Sequence, residues 1–312
     1  MDKLSILTFM LMPGISRGSV YKIWKQFPVI NNVNEIFEAL HAVKLPAIKP
    51  PEKDFVQSKY EEAFDIITQT EASGIQCIPF TDEAFPDSFR EIPDPPALFF
   101  IEGNIDLLYH HSSMAVIGTR IPTPYLDEVG EKIIRKLKKE GFSIVSGLAI
   151  GCDTLAHAFA LRNRAKTVAI LPSGLRNVYP RVNRRLAERI LSERGLLLSE
   201  YLPDARADKY QFIERDRLQS ALADGVLILE TDLQSGTMHT AKFAEVFGKR
   251  LACLISHPEK YWRHIQLEGN LQLIREKKAF AINSSTALQE FIHRVKTDIE
   301  EKRMEENLKR AF

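Results

Sequence analysis

Short apolar runs alternate with helical patterns between residues 114 and 255, and four of them run on into glycine turns. Met114–Ile117 leads into Gly118-Thr119-Arg120, and Phe142–Val145 into Ser146-Gly147. Thr167–Leu171 leads into Pro172-Ser173-Gly174, and Gly225–Glu230 is followed by Ser235-Gly236-Thr237. Continuous apolar runs of this length are strands buried on both faces. Their alternation with helices predicts an α/β fold with a doubly wound, mostly parallel sheet. Ligands of such sheets bind beyond the carboxyl ends of the strands, where glycine lets a backbone approach and helix N-termini hold anions. The pattern therefore predicts a crevice for a phosphorylated ligand, either a nucleotide or a nucleic-acid strand.

The flanks read differently. Residues 1–72 form a small helical domain: Leu4–Met12, a turn at Pro13-Gly14-Ile15-Ser16, Arg17–Phe27, and Phe55–Ser73 ended by Gly74. A glycine turn between helices can set amides against a phosphate. Here Leu4, Leu7, Leu11, Val20, Ile23 and Trp24 would mostly fill the hairpin's own core, which favours a structural role. Leu45–Pro51, with three prolines, reads as a linker. Residues 73–112 are a proline-rich connector that adds strands to the main sheet or packs beside it. The main domain spans 113–285. Residues 286–312 form a C-terminal helix with Leu288, Phe291, Ile292, Val295 and Ile299 on one face, then a charged, solvated end.

Composition narrows the chemistry. The formal net charge of +1 over 312 residues gives no overall basic balance, so a nucleic-acid surface has to be a local patch. Cys77, Cys152 and Cys253 lack metal-ligand spacing and read as buried thiols in a reducing cytosol. Adjacent His110-His111 point apart, and no metal is predicted. Leu4–Ile15 follows Asp2 without a small-residue cleavage pattern, so it reads as helix rather than leader. No run is long enough to span a bilayer, which leaves a cytoplasmic protein with no membrane partner. No G-x-G-x-x-G follows the first strand and no P-loop occurs, so neither a nicotinamide cofactor nor an ATPase is predicted. No catalytic base stands out among Glu200, Asp224, Glu230 and Asp232. Phosphate cradles without such a base favour binding over turnover.

Two local patterns carry more detail. Asp153 and His157 lie four residues apart on a helix without an accompanying nucleophile, so a buried, hydrogen-bonded histidine is the favoured reading. Lys209-Tyr210-Gln211-Phe212-Ile213-Glu214-Arg215-Asp216-Arg217 interleaves cations with aromatics. Such a run neutralises phosphates and stacks bases. It is equally a surface helix start in which Glu214 and Asp216 pair its own arginines, and the run alone leaves both open.

The combination of motifs resembles the bacterial DNA processing protein A (DprA/Smf) family. Matching elements are Ile117-Gly118-Thr119-Arg120, Ser146-Gly147-Leu148-Ala149 with Gly151, Asp153 and Ala156-His157, and Pro172-Ser173-Gly174-Leu175 with Tyr179-Pro180. Further on come Ser199-Glu200, Phe212 with Arg215 and Arg217, Ser235-Gly236-Thr237 with Thr240-Ala241, and Gly269-Asn270. The resemblance implies a Rossmann-like domain after a SAM-like helical one. It implies a dimeric, non-enzymatic protein that binds single-stranded DNA, protects it during transformation and helps load the RecA recombinase. It makes Arg120 and Lys209 phosphate contacts and Phe212 a stacking surface, and it adds Arg215 and Arg217, which match the two arginines of the family's R-N-R run, to the strand-binding residues. Gly118, Thr119, Ser146, Gly147, Ser173, Gly174, Ser235, Gly236 and Thr237 would complete the single-strand pocket. Three positions depart from the pattern: Ile150 replaces an arginine, Asp216 an asparagine, and Ser256-His257-Pro258 a Pro-Gly. The rival is a nucleotide-binding fold that cleaves N-glycosidic bonds, with Glu230 as its carboxylate. Ser235-Gly236-Thr237-Met238 lacks the extra glycine and the glutamate of that enzyme motif.

Overall fold

Each apolar run that leads into glycine is a strand, and among the described residues all the strands join one sheet. The computed structural model describes residues 1–45, 49–109, 112–261 and 265–311. The linker read at Leu45–Pro51 lies partly outside them, and the His110-His111 pair wholly so. In chain order come α1 (Lys3–Met10), α2 (Arg17–Gln26), α3 (Val33–Ala42), α4 (Lys53–Ala72), β1 (Gln76–Pro79), α5 (Asp87–Arg90) and β2 (Leu98–Gly103). The main unit continues with β3 (Ser113–Ile117), α6 (Tyr125–Lys139), β4 (Ser143–Ser146), α7 (Cys152–Arg162), β5 (Thr167–Ile170) and α8 (Arg184–Ser192). Then follow β6 (Leu196–Ser199), α9 (Lys209–Leu222), β7 (Gly225–Ile228), α10 (Thr237–Val246), β8 (Arg250–Leu254), α11 (Glu268–Arg275), β9 (Phe280–Ile282) and α12 (Ser285–Ala311).

The nine strands lie in the order β1-β2-β6-β5-β4-β3-β7-β8-β9. From β6 to β9 all pairings are parallel, while β2 and β1 add antiparallel strands at one edge. The proline-rich connector thus extends the sheet. From β3 the chain winds outward through β4, β5 and β6, and α9 then carries it back to β7 on the other side of β3. That reversal makes the β3/β7 seam the switch point, where two loops diverge and leave a crevice.

Side chains on β3 alternate between two cores, as a period of two demands. Met114 and Val116 face α6, α7 and α12, whereas Ala115 and Ile117 face α10 and α11. The apolar stripe predicted on α12 is buried there: Leu288, Phe291, Ile292 and Val295 pack on the sheet. The charged end stays helical to Ala311. The buried side chains of helices α1 to α4 are continuous with those of the sheet. Ile6, Leu7, Val20 and Ile36 belong to one buried cluster with Phe99, Ile170 and Leu198 of the sheet. The turn before α2 is built by Gly14 at φ 81° and by Ser16, whose hydroxyl accepts from the Ser19 amide.

Candidate nucleic-acid interface

A cleft of about 380 Å³ opens at the switch point. It is lined by Gly118, Thr119 and Arg120 after β3, by Ser235, Gly236 and Thr237 at the start of α10, and by Phe212, Arg215, Asp216 and Gln219 of α9. Eight of the residues singled out from sequence thus meet around one cavity: those from Gly118 to Arg120, those from Ser235 to Thr237, Phe212 and Arg215. Gly118 is needed for the close approach: a Cβ there would lie 2.6 Å from the Cys152 sulfur and 2.7 Å from the Glu230 carbonyl oxygen.

The rim carries the cation–aromatic cluster. Asp208 caps α9, accepting from the Tyr210 amide while the Gln211 side chain accepts from the Asp208 amide, so the helix starts at the surface. Lys209 and Tyr210 are exposed, Phe212 is half-buried, and the helix is buried from Arg215 on. The Arg120 guanidinium carbon sits 5.4 Å from the Phe212 ring centroid, and the Tyr179 ring meets that ring edge-on at 5.4 Å. The Lys209 ammonium lies 4.8 Å from the Tyr210 centroid. A small recess beside this cluster is lined by Arg120, Ile150, Tyr179, Pro180 and Phe212. Ile150, where the resemblance has arginine, is 51% exposed and enlarges the apolar part of the rim. Tyr179 and Ile150 were not among the predicted site residues. Their exposed apolar surface is a tertiary property.

Below the rim the predicted residues serve other purposes. Arg215 is 5% exposed, 3.2 Å from Asp216 and 3.9 Å from Asp153, and it donates to the Ile170 carbonyl at 3.1 Å. A Cβ on Gly147 would lie 1.2 Å from its Nη1, so Gly147 is the space the guanidinium occupies. The Gly147 amide donates to Asp153, as does that of Ala149. Asp153 and His157 therefore take different partners: His157 is fully buried with Nδ1 2.7 Å from the Thr167 hydroxyl. Burial and the Arg215 charge push the His157 pKa down to about 3. Burial also holds the Asp216 carboxyl up at about 7, against the pull of Arg215. The Ser146 hydroxyl donates to the Val116 carbonyl, the Ser173 carbonyl accepts from Ser199, and the Gly174 amide donates to Ala205. These groups brace turns and do not line the cleft.

Arg217 does not reach the cleft either. It is 3% exposed and its Nη2 donates to Glu200 at 2.5 Å. Glu200 also accepts from Arg17 of α2 at 3.0 Å, and Arg17 pairs with Asp94 and Glu214. The run's two acids therefore diverge: Asp216 pairs with its neighbour Arg215, whereas Glu214 pairs with the N-terminal helices. Asp94 lies in the proline-rich connector. Glu230, the carboxylate of the hydrolase reading, is fully buried. It accepts from the Thr123 amide at 2.7 Å, the Thr123 hydroxyl at 2.5 Å and His257 Nε2 at 2.9 Å. It ties the loop after β3 to the end of β8 and is not a cleft residue. No group of three or more metal-ligating side chains occurs among the described residues, and none of their helices is long and apolar enough to cross a membrane.

Known proteins are similar to this chain in sequence and fold. A family model described as DNA recombination-mediator protein A matches residues 76–293. The DNA processing protein DprA of Bacillus subtilis is 29% identical over 239 residues, covering 76% of this chain and 79% of that protein. Protein Smf of a Synechocystis species is 34% identical over 80% of this chain and 60% of its own length. Among solved structures, DNA processing protein A of Streptococcus pneumoniae superposes with a TM-score of 0.76 at 26% identity, covering 93% of this chain and 97% of that one. The Helicobacter pylori protein, solved to describe its single-stranded DNA binding mode, gives a TM-score of 0.61 at 34% identity, covering 72% and 97%. With the family match running from β1 into α12, the chain belongs to the DNA processing protein A (DprA/Smf) family of DNA recombination mediators.

Proposed function

We propose that this chain binds single-stranded DNA at the switch-point cleft, with Arg120 and Lys209 on backbone phosphates and Phe212 stacking an unpaired base. The observation that carries the reading is the Arg120–Phe212–Tyr179 cluster at the cleft mouth. A guanidinium neutralises phosphate, an aromatic face takes any base, and a duplex presents no free base face to the ring. The single-strand binding described for the H. pylori relative supports the same ligand here. Arg215 supports the site from below, and Arg217 holds the domain together. Delivery of the strand to a RecA-type recombinase, by a homodimer in the cytoplasm, is the role that membership in the family favours.

The N-glycosidic hydrolase reading has no observation in its favour. Glu230 is engaged on both oxygens and lies outside the cleft lining.

Fluorescence anisotropy with labelled single-stranded and duplex oligonucleotides, across a salt series, tests the proposal. Wild type is expected to prefer the single strand and to weaken with salt. Arg120→Ala and Lys209→Ala are each expected to weaken it further. No binding at low salt overturns the proposal.

A further inference from the structure

Resting on that reading, we infer that the strand does not end at the cleft but continues past Phe212 onto the start of α8, where Tyr179 and Val182 face its bases and Arg181 and Arg185 its phosphates.

The start of α8 is fastened to the cleft. Arg181–Asn183 form a 3-10 turn leading into the helix. The Asn183 amide donates to the Leu148 carbonyl at 2.8 Å, the Ala149 carbonyl at 3.3 Å and the Thr154 hydroxyl at 2.8 Å. Ala149 lines the cleft, and Pro180 lines the recess shared with Arg120 and Phe212. Arg181 and Val182 therefore emerge at the rim, between the stacking ring and the body of the helix.

That surface is apolar and cationic at once. Tyr179 is 45% exposed and Val182 is 73% exposed, although α8 has an inner face, with Ala187 and Ile190 buried, that would accept apolar side chains. Four arginines decorate the outer side. Arg184 is compensated by Glu188 at 3.2 Å and Arg189 by Glu193 at 3.3 Å, each one turn on. Arg181 and Arg185 are exposed, about one turn apart, and have no ion pair among the described residues. Of the uncompensated pair, Arg181 directly follows Pro180 of the recess. Exposed apolar faces alternating with unpaired guanidiniums match a ligand that alternates base faces with phosphates. Four residues on from Arg181 is Arg185, and four on from Arg185 is Arg189, so neither has the i,i+4 glutamate that compensates Arg184 and Arg189.

The test is a length series of labelled oligothymidylates with wild type and the double variant Arg181→Ala/Arg185→Ala. Both side chains are exposed, and circular dichroism is the check that the variant folds. Wild type is expected to gain affinity as the oligonucleotide outgrows the cleft. The double variant is expected to bind the shortest oligonucleotide like wild type and the longest about five- to tenfold more weakly. Its salt slope on long strands should drop by about 0.7 for each lost phosphate contact. Wild type and variant equal at every length, on a wild type that does bind, overturns this inference alone. A wild type that binds no length overturns the parent reading and this inference together.

Discussion

Gly147 and Arg215 fill the same volume: the missing Cβ of the glycine is where the arginine's Nη1 lies, 1.2 Å from its ideal position. The two residues come from the turn after β4 and from the middle of α9, so the cleft wall and the helix that carries Phe212 are interlocked. Gly147→Ala should therefore push the guanidinium out of its contacts with Asp153 and Ile170. The expected cost is about 1–3 kcal/mol from overpacking alone, read as a lower urea midpoint. A variant as stable as wild type would show that Arg215 has another place to go.

Phe212 and Arg120 touch each other but are expected to fail in different ways. Phe212→Ala removes a stacking surface and should weaken single-strand binding by about 1–3 kcal/mol with no change in salt dependence. Arg120→Ala removes a phosphate contact and should flatten the salt slope by about 0.7. Anisotropy titrations at several salt concentrations separate the two. Equal slopes for wild type and Arg120→Ala would remove Arg120 from the backbone.

Arg217 is expected to matter for stability rather than for DNA. Its removal leaves Glu200 buried with only Arg17 as a cationic partner. Breaking a buried pair from one side costs about 3–5 kcal/mol. Arg217→Ala should lower the thermal midpoint and, at temperatures where it is folded, bind single strands like wild type. Normal stability with lost binding would return Arg217 to the interface.

Two buried groups near the cleft give opposing pH dependence. The Asp216 carboxyl, held at about 7 in the fold against 3.8 when free, keeps a proton that the unfolded chain has lost. The folded state then binds more protons across that window, so this group's contribution to stability falls as pH rises through it. His157, depressed to about 3 from 6.5, is neutral in the fold while the unfolded chain takes up a proton. Its contribution falls in the other direction, as pH drops below 6.5. Asp216→Asn removes the first slope and leaves the second. Denaturation midpoints measured between about pH 4 and pH 7 should show the variant losing stability on acidification more steeply than wild type. Parallel profiles would mean that Asp216 is ionised throughout.

The strands, the glycine turns at their carboxyl ends and the outer rim were legible because local chemistry announces them, whereas the β3/β7 switch point follows from the strand order. A strand buried on both faces has to be an apolar run, and Lys209, Tyr210 and Phe212 stand together in the chain. The roles of Arg215 and Arg217 were not legible. The acids beside Arg217 in sequence, Glu214 and Asp216, are not its partners, and its fate is set by Glu200, which in turn faces an arginine 183 residues away. Gly147 read as a phosphate-binding amide because glycine after a strand has that use; here the amide goes to Asp153 and the bare Cα makes room for Arg215. Tyr179 and Ile150 came to the rim only through tertiary packing.

The sheet order has a consequence for how the protein is made. The strand at the centre of its parallel part, β3, is flanked on one side by β4, which follows at once, and on the other by β7. The Ser113 amide donates to Asp224 across 111 residues of chain. During synthesis from the N-terminus, at about 5–20 residues per second, β3 therefore spends several seconds with a bare hydrogen-bonding edge. The cleft stands on that seam and exists only once the second half of the chain has docked. A nascent chain arrested before β7 would bury much of its core and still have nowhere to hold a ligand.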